Sequence, residues 1–249
     1  MSLCADCFKG VRHEGTPSGK TERINDVDCY VATPEGDYAK DTVILFLTDA
    51  FGVPLPNNLL LADDFANNGF KTVVPDFFAD PAPANCFEPG QTFDFGAWLG
   101  RNSPAVTEPK VRKVLAALKE GGVTKIAAVG YCYGARLGFN LAFDNEITVL
   151  ATSHPSLLKF PTDIETLKAK SSVPVLINSC TVDQMFPHEA QETTDSILGE
   201  GQYAPGYKRT YWEGCTHGFA VRGDLSDPKV KAGKEGAFKE TVEWFKKHL

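Results

Sequence analysis

Two glycines, Gly130 and Gly134, bracket a cysteine in the run Gly-Tyr-Cys132-Tyr-Gly, and they restrict the possible folds more than any other feature of the chain. Upstream lies Ile126-Ala-Ala-Val129, an apolar run of strand length. Downstream, Ala135-Arg-Leu-Gly-Phe-Asn-Leu-Ala-Phe143 has helical spacing. A strand that gives way to a helix within one residue must hold that residue in a strained backbone conformation. Neighbouring strand and helix then pass so close that positions 130 and 134 admit no side chain. The turn is expected to lift the Cys132 sulfur above the end of a sheet. It also sets that sulfur at a helix N-terminus, whose free N–H groups favour a thiolate. That is the context of a reactive thiol, not of a packed one.

The rest of the chain alternates between strand and helix patterns. Val27–Ala32 alternates in polarity and reads as an edge strand, whereas Thr42–Thr48 is a continuous apolar run suited to a buried central strand. Asn57–Asn68 has helical spacing, and Lys71–Asp76 is the next strand. Phe77 to Ser103 is irregular and rich in Pro, Ala and Phe, with a short helical piece around Phe95 to Leu99. Pro109–Lys119 is an amphipathic helix stopped by Gly121 and Gly122. Strands follow at Ile147–Thr152, Val173–Asn178 and Tyr207–Trp212, with helices at Ile164–Ala169, His188–Leu198 and Pro228–Leu249. This order predicts an α/β fold with a mostly parallel central sheet and helices on both faces. With no internal repeat or linker, residues 1–249 are expected to form a single domain.

Composition narrows the function. At 43% hydrophobic and 23% charged, the chain can bury a full core. A net charge of -7, with no basic run among aromatics, argues against nucleic-acid binding. The longest apolar runs, such as Val43–Leu47, are too short to span a bilayer, so no membrane role is expected. The N-terminus lacks a basic region followed by an apolar core. Seven scattered cysteines, at 4, 7, 29, 86, 132, 180 and 215, read as free thiols in a reducing compartment, which makes the cytoplasm the expected location. Cys4-Ala-Asp-Cys7 has metal or redox spacing, but no second pair stands at the required distance, and no metal site is expected.

A nucleophile needs a base, and the base needs a group to orient it. Asp183 follows the strand ending at Asn178, and His217 follows the strand ending at Trp212. Asp163 and Asp195 are rivals for the acid, but neither follows a predicted strand. Nucleophile, acid and histidine at successive strand ends are the arrangement of the α/β-hydrolase fold, here with cysteine in the place of serine. His154, just beyond another strand, is a candidate neighbour of the site. The segment from Phe77 to Ser103, with Phe93, Phe95 and Trp98, is expected to overhang the site, and Trp98 to contact substrate. Two other readings stay open: a redox sensor using an exposed thiol, and a silent binding module on the same fold.

Gly-Tyr-Cys132-Tyr-Gly-Ala, the Asp183 loop, Thr-His217-Gly-Phe and Thr48-Asp-Ala-Phe-Gly-Val53 together resemble the dienelactone hydrolase family across nearly the whole chain. The opening residues, Ser-His-Pro-Ser and Phe-Ala-Val-Arg-Gly-Asp look like its fungal branch. The resemblance implies hydrolysis of a small ester or lactone through a thioester, with Cys132 as nucleophile, His217 as base and Asp183 as its orienting acid. It implies an oxyanion hole of the Tyr133 and Ala50 amides, and no metal, nucleotide or organic cofactor. A monomer or homodimer acting on a small molecule is expected. Asp49 stands where the family has a glutamate that helps ionise the thiol. Bacterial members bind a substrate carboxylate through an arginine four residues after the histidine. That position is Val221 here, and Arg222 comes one later, with Arg101 and Arg136 as further candidates.

Overall fold

The structure, a computed structural model, describes residues 15–86 and 90–249; Cys4 and Cys7 lie outside the described residues. Its centre is an eight-stranded sheet of β1 (Lys20–Ile24), β2 (Val27–Ala32), β3 (Thr42–Leu47), β4 (Lys71–Pro75), β5 (Lys125–Tyr131), β6 (Val149–Ser153), β7 (Val175–Val182) and β8 (Tyr207–Thr216). The spatial order is β1-β2-β4-β3-β5-β6-β7-β8. The β1–β2 and β2–β4 pairs are antiparallel, and the others are parallel.

Alternation of side chains along the strands divides the core in two. Val43, Leu45 and Leu47 of β3 face the layer filled by α3 (Pro104–Glu120) and α4 (Tyr133–Phe143), through Val111, Val114, Leu137 and Leu141. Ile44 and Phe46 point to the opposite layer, against Leu61 and Phe65 of α1 (Pro56–Asn67) and Phe238 and Phe245 of α8 (Pro228–His248). A strand buried on both faces requires apolar residues at every position, which is why the run reads as continuous.

Three details differ from the sequence expectation. The edge strand is β1, not β2. All five residues of Lys-Thr-Glu-Arg-Ile lie at the surface or partly so, and a strand with no buried face leaves no apolar alternation to read. By pairing on both sides, β2 becomes an interior strand. Helix α3 begins five residues before Pro109 and runs through it. Pro109 and Ala105, whose carbonyl loses its amide partner, are both exposed, so water can satisfy that oxygen. Strands β7 and β8 extend beyond Asn178 and Trp212 to meet at the pair Val182–Thr216, across an irregularity after Cys180. That extension positions the site.

Candidate active site

Cys132 occupies the single residue between β5 and α4, at φ 49 and ψ -110. This strained geometry persists because the surroundings leave no room for another. A Cβ on Gly134 would lie 2.0 Å from the Leu47 carbonyl oxygen of β3, and one on Gly130 would lie 2.7 Å from the Gly134 carbonyl oxygen. The Tyr133 amide is in the first turn of α4, where no intrahelical acceptor reaches it. Cys29, Cys86, Cys180 and Cys215 are buried free thiols, and burial pushes Cys29 and Cys180 up to about 12. Among the described residues Cys132 is the one cysteine that is not buried.

Pairing of Val182 with Thr216 makes Asp183 and His217 neighbours at the carboxyl edge of the sheet. The His217 amide donates to the Val182 carbonyl at 2.9 Å. The His217 ring donates through Nδ1 to Asp183 Oδ1, also at 2.9 Å. The same oxygen accepts from the Met185 and Phe186 amides at 2.8 and 3.0 Å, which fixes the carboxylate. On its other side the ring reaches Cys132 and Ser156. Ser156 Oγ lies 3.2 Å from Cys132 Sγ and 3.5 Å from His217 Nε2, and the Ser156 amide donates to the Cys132 carbonyl at 3.0 Å. Burial disfavours a charge on His217, but hydrogen bonds with Asp183 and Cys132 outweigh it and raise the pKa to about 10. The arrangement is able to hold an imidazolium beside a sulfur.

These groups open into a cavity of about 480 Å³, also lined by Ala50, Phe51, Phe95 and Arg222. It lies at the carboxyl ends of the parallel strands, where α/β sheets bind ligands. Arg222 Nε donates to Asp49 Oδ2 at 3.2 Å, and the guanidinium lies 4.4 Å over the Phe51 ring. Asp49 is fully buried, and its other oxygen accepts from Asn58 and the Phe51 amide. Burial pushes its pKa up, against the hydrogen bond from Asn58 and the charge of Arg222. Its side-chain hydrogen bonds among the described residues go to these groups and not to Cys132. In this structure Asp49 therefore faces Arg222, and the thiol contact implied by the resemblance is not among these hydrogen bonds.

The remaining candidates lie elsewhere. Arg101 pairs with Asp80 on the surface, and Arg136 pairs with Asp163; neither lines the cavity. Asp195, the other rival acid, holds Arg209. His154 is fully buried behind the site, with ring centroids 5.0 Å from His217 and 5.6 Å from Phe219. Trp98, expected at the substrate, is 1% exposed; its indole donates to the Asp80 carbonyl and packs on Phe78, Phe95 and Tyr133. Among the described residues of that segment, Phe95 is the side chain that lines the cavity, at 40% exposure. Trp98→Ala will accordingly cost stability, about 3–5 kcal/mol in denaturant unfolding. Phe95→Ala will change the ratio of kcat/KM between small and bulky esters and leave unfolding within about 0.5 kcal/mol. The reverse pattern would refute this assignment.

Sheet order, the turn at Cys132 and a cavity at the strand ends define the class: this is an α/β-hydrolase fold. The profile of the dienelactone hydrolase family matches residues 27–249. Hydrolase pyvD of Aspergillus violaceofuscus is 33% identical over 245 residues, spanning 98% of this chain and 96% of that protein. Dienlactone hydrolase 1 of Gibberella moniliformis is 32% identical, over 97% and 92% of the two chains. A solved dienelactone hydrolase-like promiscuous phosphotriesterase from metagenomic libraries shares the fold, with a TM-score of 0.68 at 17% identity over 94% of this chain and 99% of that one. The chain belongs to the dienelactone hydrolase family, and is an ester or lactone hydrolase. Among the described residues, no helix is long and apolar enough to cross a membrane.

Ser156 was missed from sequence. Its serine lies only two residues beyond His154, but what brings its hydroxyl to the sulfur is a turn at His154 with φ 41, a conformation that a non-glycine residue does not announce.

Proposed function

We propose that this hydrolase works through a cysteine acyl-enzyme, with Cys132, His217 and Asp183 as its triad on one α/β-hydrolase domain. The supporting observation is the unbroken run of contacts from the Cys132 sulfur through the His217 ring to the Asp183 carboxylate, open to the cavity. The sulfur attacks the ester or lactone carbonyl, and its proton is held on His217. The Tyr133 and Ala50 amides donate to the oxyanion as it forms. Collapse of this intermediate expels the alkoxide, which takes the proton from His217 and leaves a thioester on Cys132. Water then attacks the thioester, giving its proton to His217, and the acid departs as the sulfur is restored. The Asp183 carboxylate accepts from the His217 ring throughout and supports the imidazolium. Ser156, in contact with both sulfur and ring, holds the thiol in line with the base.

The test is to catch the intermediate. Mixing the protein with excess para-nitrophenyl acetate will give a burst of para-nitrophenol close to one equivalent. Acid quenching and peptide mapping will then place the acetyl group on Cys132. Steady turnover with no burst is compatible with slow acylation, but an acetyl group mapped to Ser156 or another side chain would overturn the reading.

A further inference from the structure

Among the described residues that line the cavity, Arg222 carries the one permanent charge, and that charge is already matched. Its Nε is bonded to Asp49, and its plane lies on Phe51. Its far end is packed against the chain at Gly218, where a Cβ would come within 2.7 Å of Nη2. Asp49 in turn is fully buried and fixed by Asn58 and the Phe51 amide, so it stays in place beside the guanidinium. Much of the remaining lining is apolar: Ala50, Phe51, Phe95, Val182 and Met185. Five large apolar side chains stand out as exposed among the described residues, and three of them, Phe95, Val182 and Met185, line this one cavity. Apolar side chains gathered at a concavity mark a binding surface, whereas scattered ones do not. A formal charge of -7 on the whole chain adds a long-range field unfavourable to anions.

Taking this cavity as the substrate site of the cysteine hydrolase proposed above, a reading on which the inference rests, we infer that its substrates are uncharged esters or lactones bearing a flat apolar group. That group lies between Phe51, Phe95 and Met185. A volume of about 480 Å³ suits a ligand of more than one small ring. A carboxylate on the substrate would lose its water against the apolar part of the lining and would have to compete with Asp49 for Arg222, and an unpaired buried charge is strongly disfavoured.

Two matched pairs of substrates test this with the full-length protein. The first is mono(para-nitrophenyl) succinate and its methyl ester, which differ by a carboxylate. The second is para-nitrophenyl acetate and para-nitrophenyl hydrocinnamate, which differ by an aryl group. In each pair the neutral or aryl-bearing member will have the larger kcat/KM, by at least about tenfold. Asp49→Asn, by leaving Arg222 without its counter-ion, will narrow or reverse the first ratio. Equal or faster turnover of the free succinate by the wild-type protein overturns the inference while leaving the hydrolase reading intact. Absence of turnover for all four esters would remove both. The wild-type ratios decide the matter even if Asp49→Asn fails to fold.

Discussion

Replacing Asp183 with Asn will lower kcat for para-nitrophenyl acetate by about 10³–10⁴-fold with little change in the fold. Asn has the shape of Asp, and its carbonyl oxygen is still able to accept from the Met185 and Phe186 amides. What disappears is the negative charge behind the His217 ring. Burial by itself pushes that imidazole down, and the contacts with Asp183 and Cys132 reverse the sign and lift it to about 10. Without Asp183, holding a proton on His217 while the sulfur attacks becomes unfavourable. A pH signature accompanies the loss. A histidine whose folded pKa is raised contributes stability that is complete below the unfolded value of 6.5 and is lost as pH rises through about 10. The wild-type protein will therefore lose thermal stability between about pH 7 and about pH 10 beyond what the Asp183→Asn variant loses over the same range. A variant with kcat within tenfold of wild type, or with the same pH profile of melting, would show that the carboxylate does not act on the ring.

The second large effect is on stability. Gly134→Ala will destabilise the protein by about 3 kcal/mol or more, lowering the melting temperature by roughly 6–12 °C. The added Cβ would fall 2.0 Å from the Leu47 carbonyl oxygen and 2.8 Å from that of Thr48. Both are backbone atoms of the strand end beside α4, so relief requires the helix to move away from the sheet. Gly138, one turn further along the same helix, supplies an internal comparison. Its Cβ would meet the end of the Leu150 side chain at 2.7 Å, and a side chain can rotate away. Gly138→Ala will therefore cost less than half as much. If Gly134→Ala melts within about 2 °C of wild type, the close approach of α4 to β3 is not what that glycine accommodates.

The contrast between these glycines shows what was legible in the sequence. Buried strands such as β3 and β5 announce themselves because burial on both faces demands unbroken apolar runs. The turn at Cys132 was legible because its steric demand falls on two residues that must both be glycine. Asp183 and His217 were legible as strand-end residues in chain order. Their contact depends on β7 and β8 running on to the Val182–Thr216 pair, which the polar tail of β8 hid. Strand β1 was invisible because an exposed strand carries no alternation. Trp98 and Phe95 sit three residues apart in one aromatic segment, and composition does not say which faces inward. One helical turn decides it, turning the indole toward the Asp80 carbonyl and leaving the phenyl ring at the cavity. The pairing of Asp49 with Arg222 joins residues 173 positions apart, a partnership that no local pattern encodes.

His154 lies directly behind His217, sealed from solvent, and neither of its ring nitrogens has a hydrogen-bond partner among the described residues. Burial, together with the charges of His217 and Arg222, holds its pKa well below the ordinary histidine range. Two imidazoles in contact would ordinarily invite a proton to hop between them, yet here the inner ring refuses it. In the mechanism proposed above, a proton on His217 therefore leaves toward the cavity and not inward to His154.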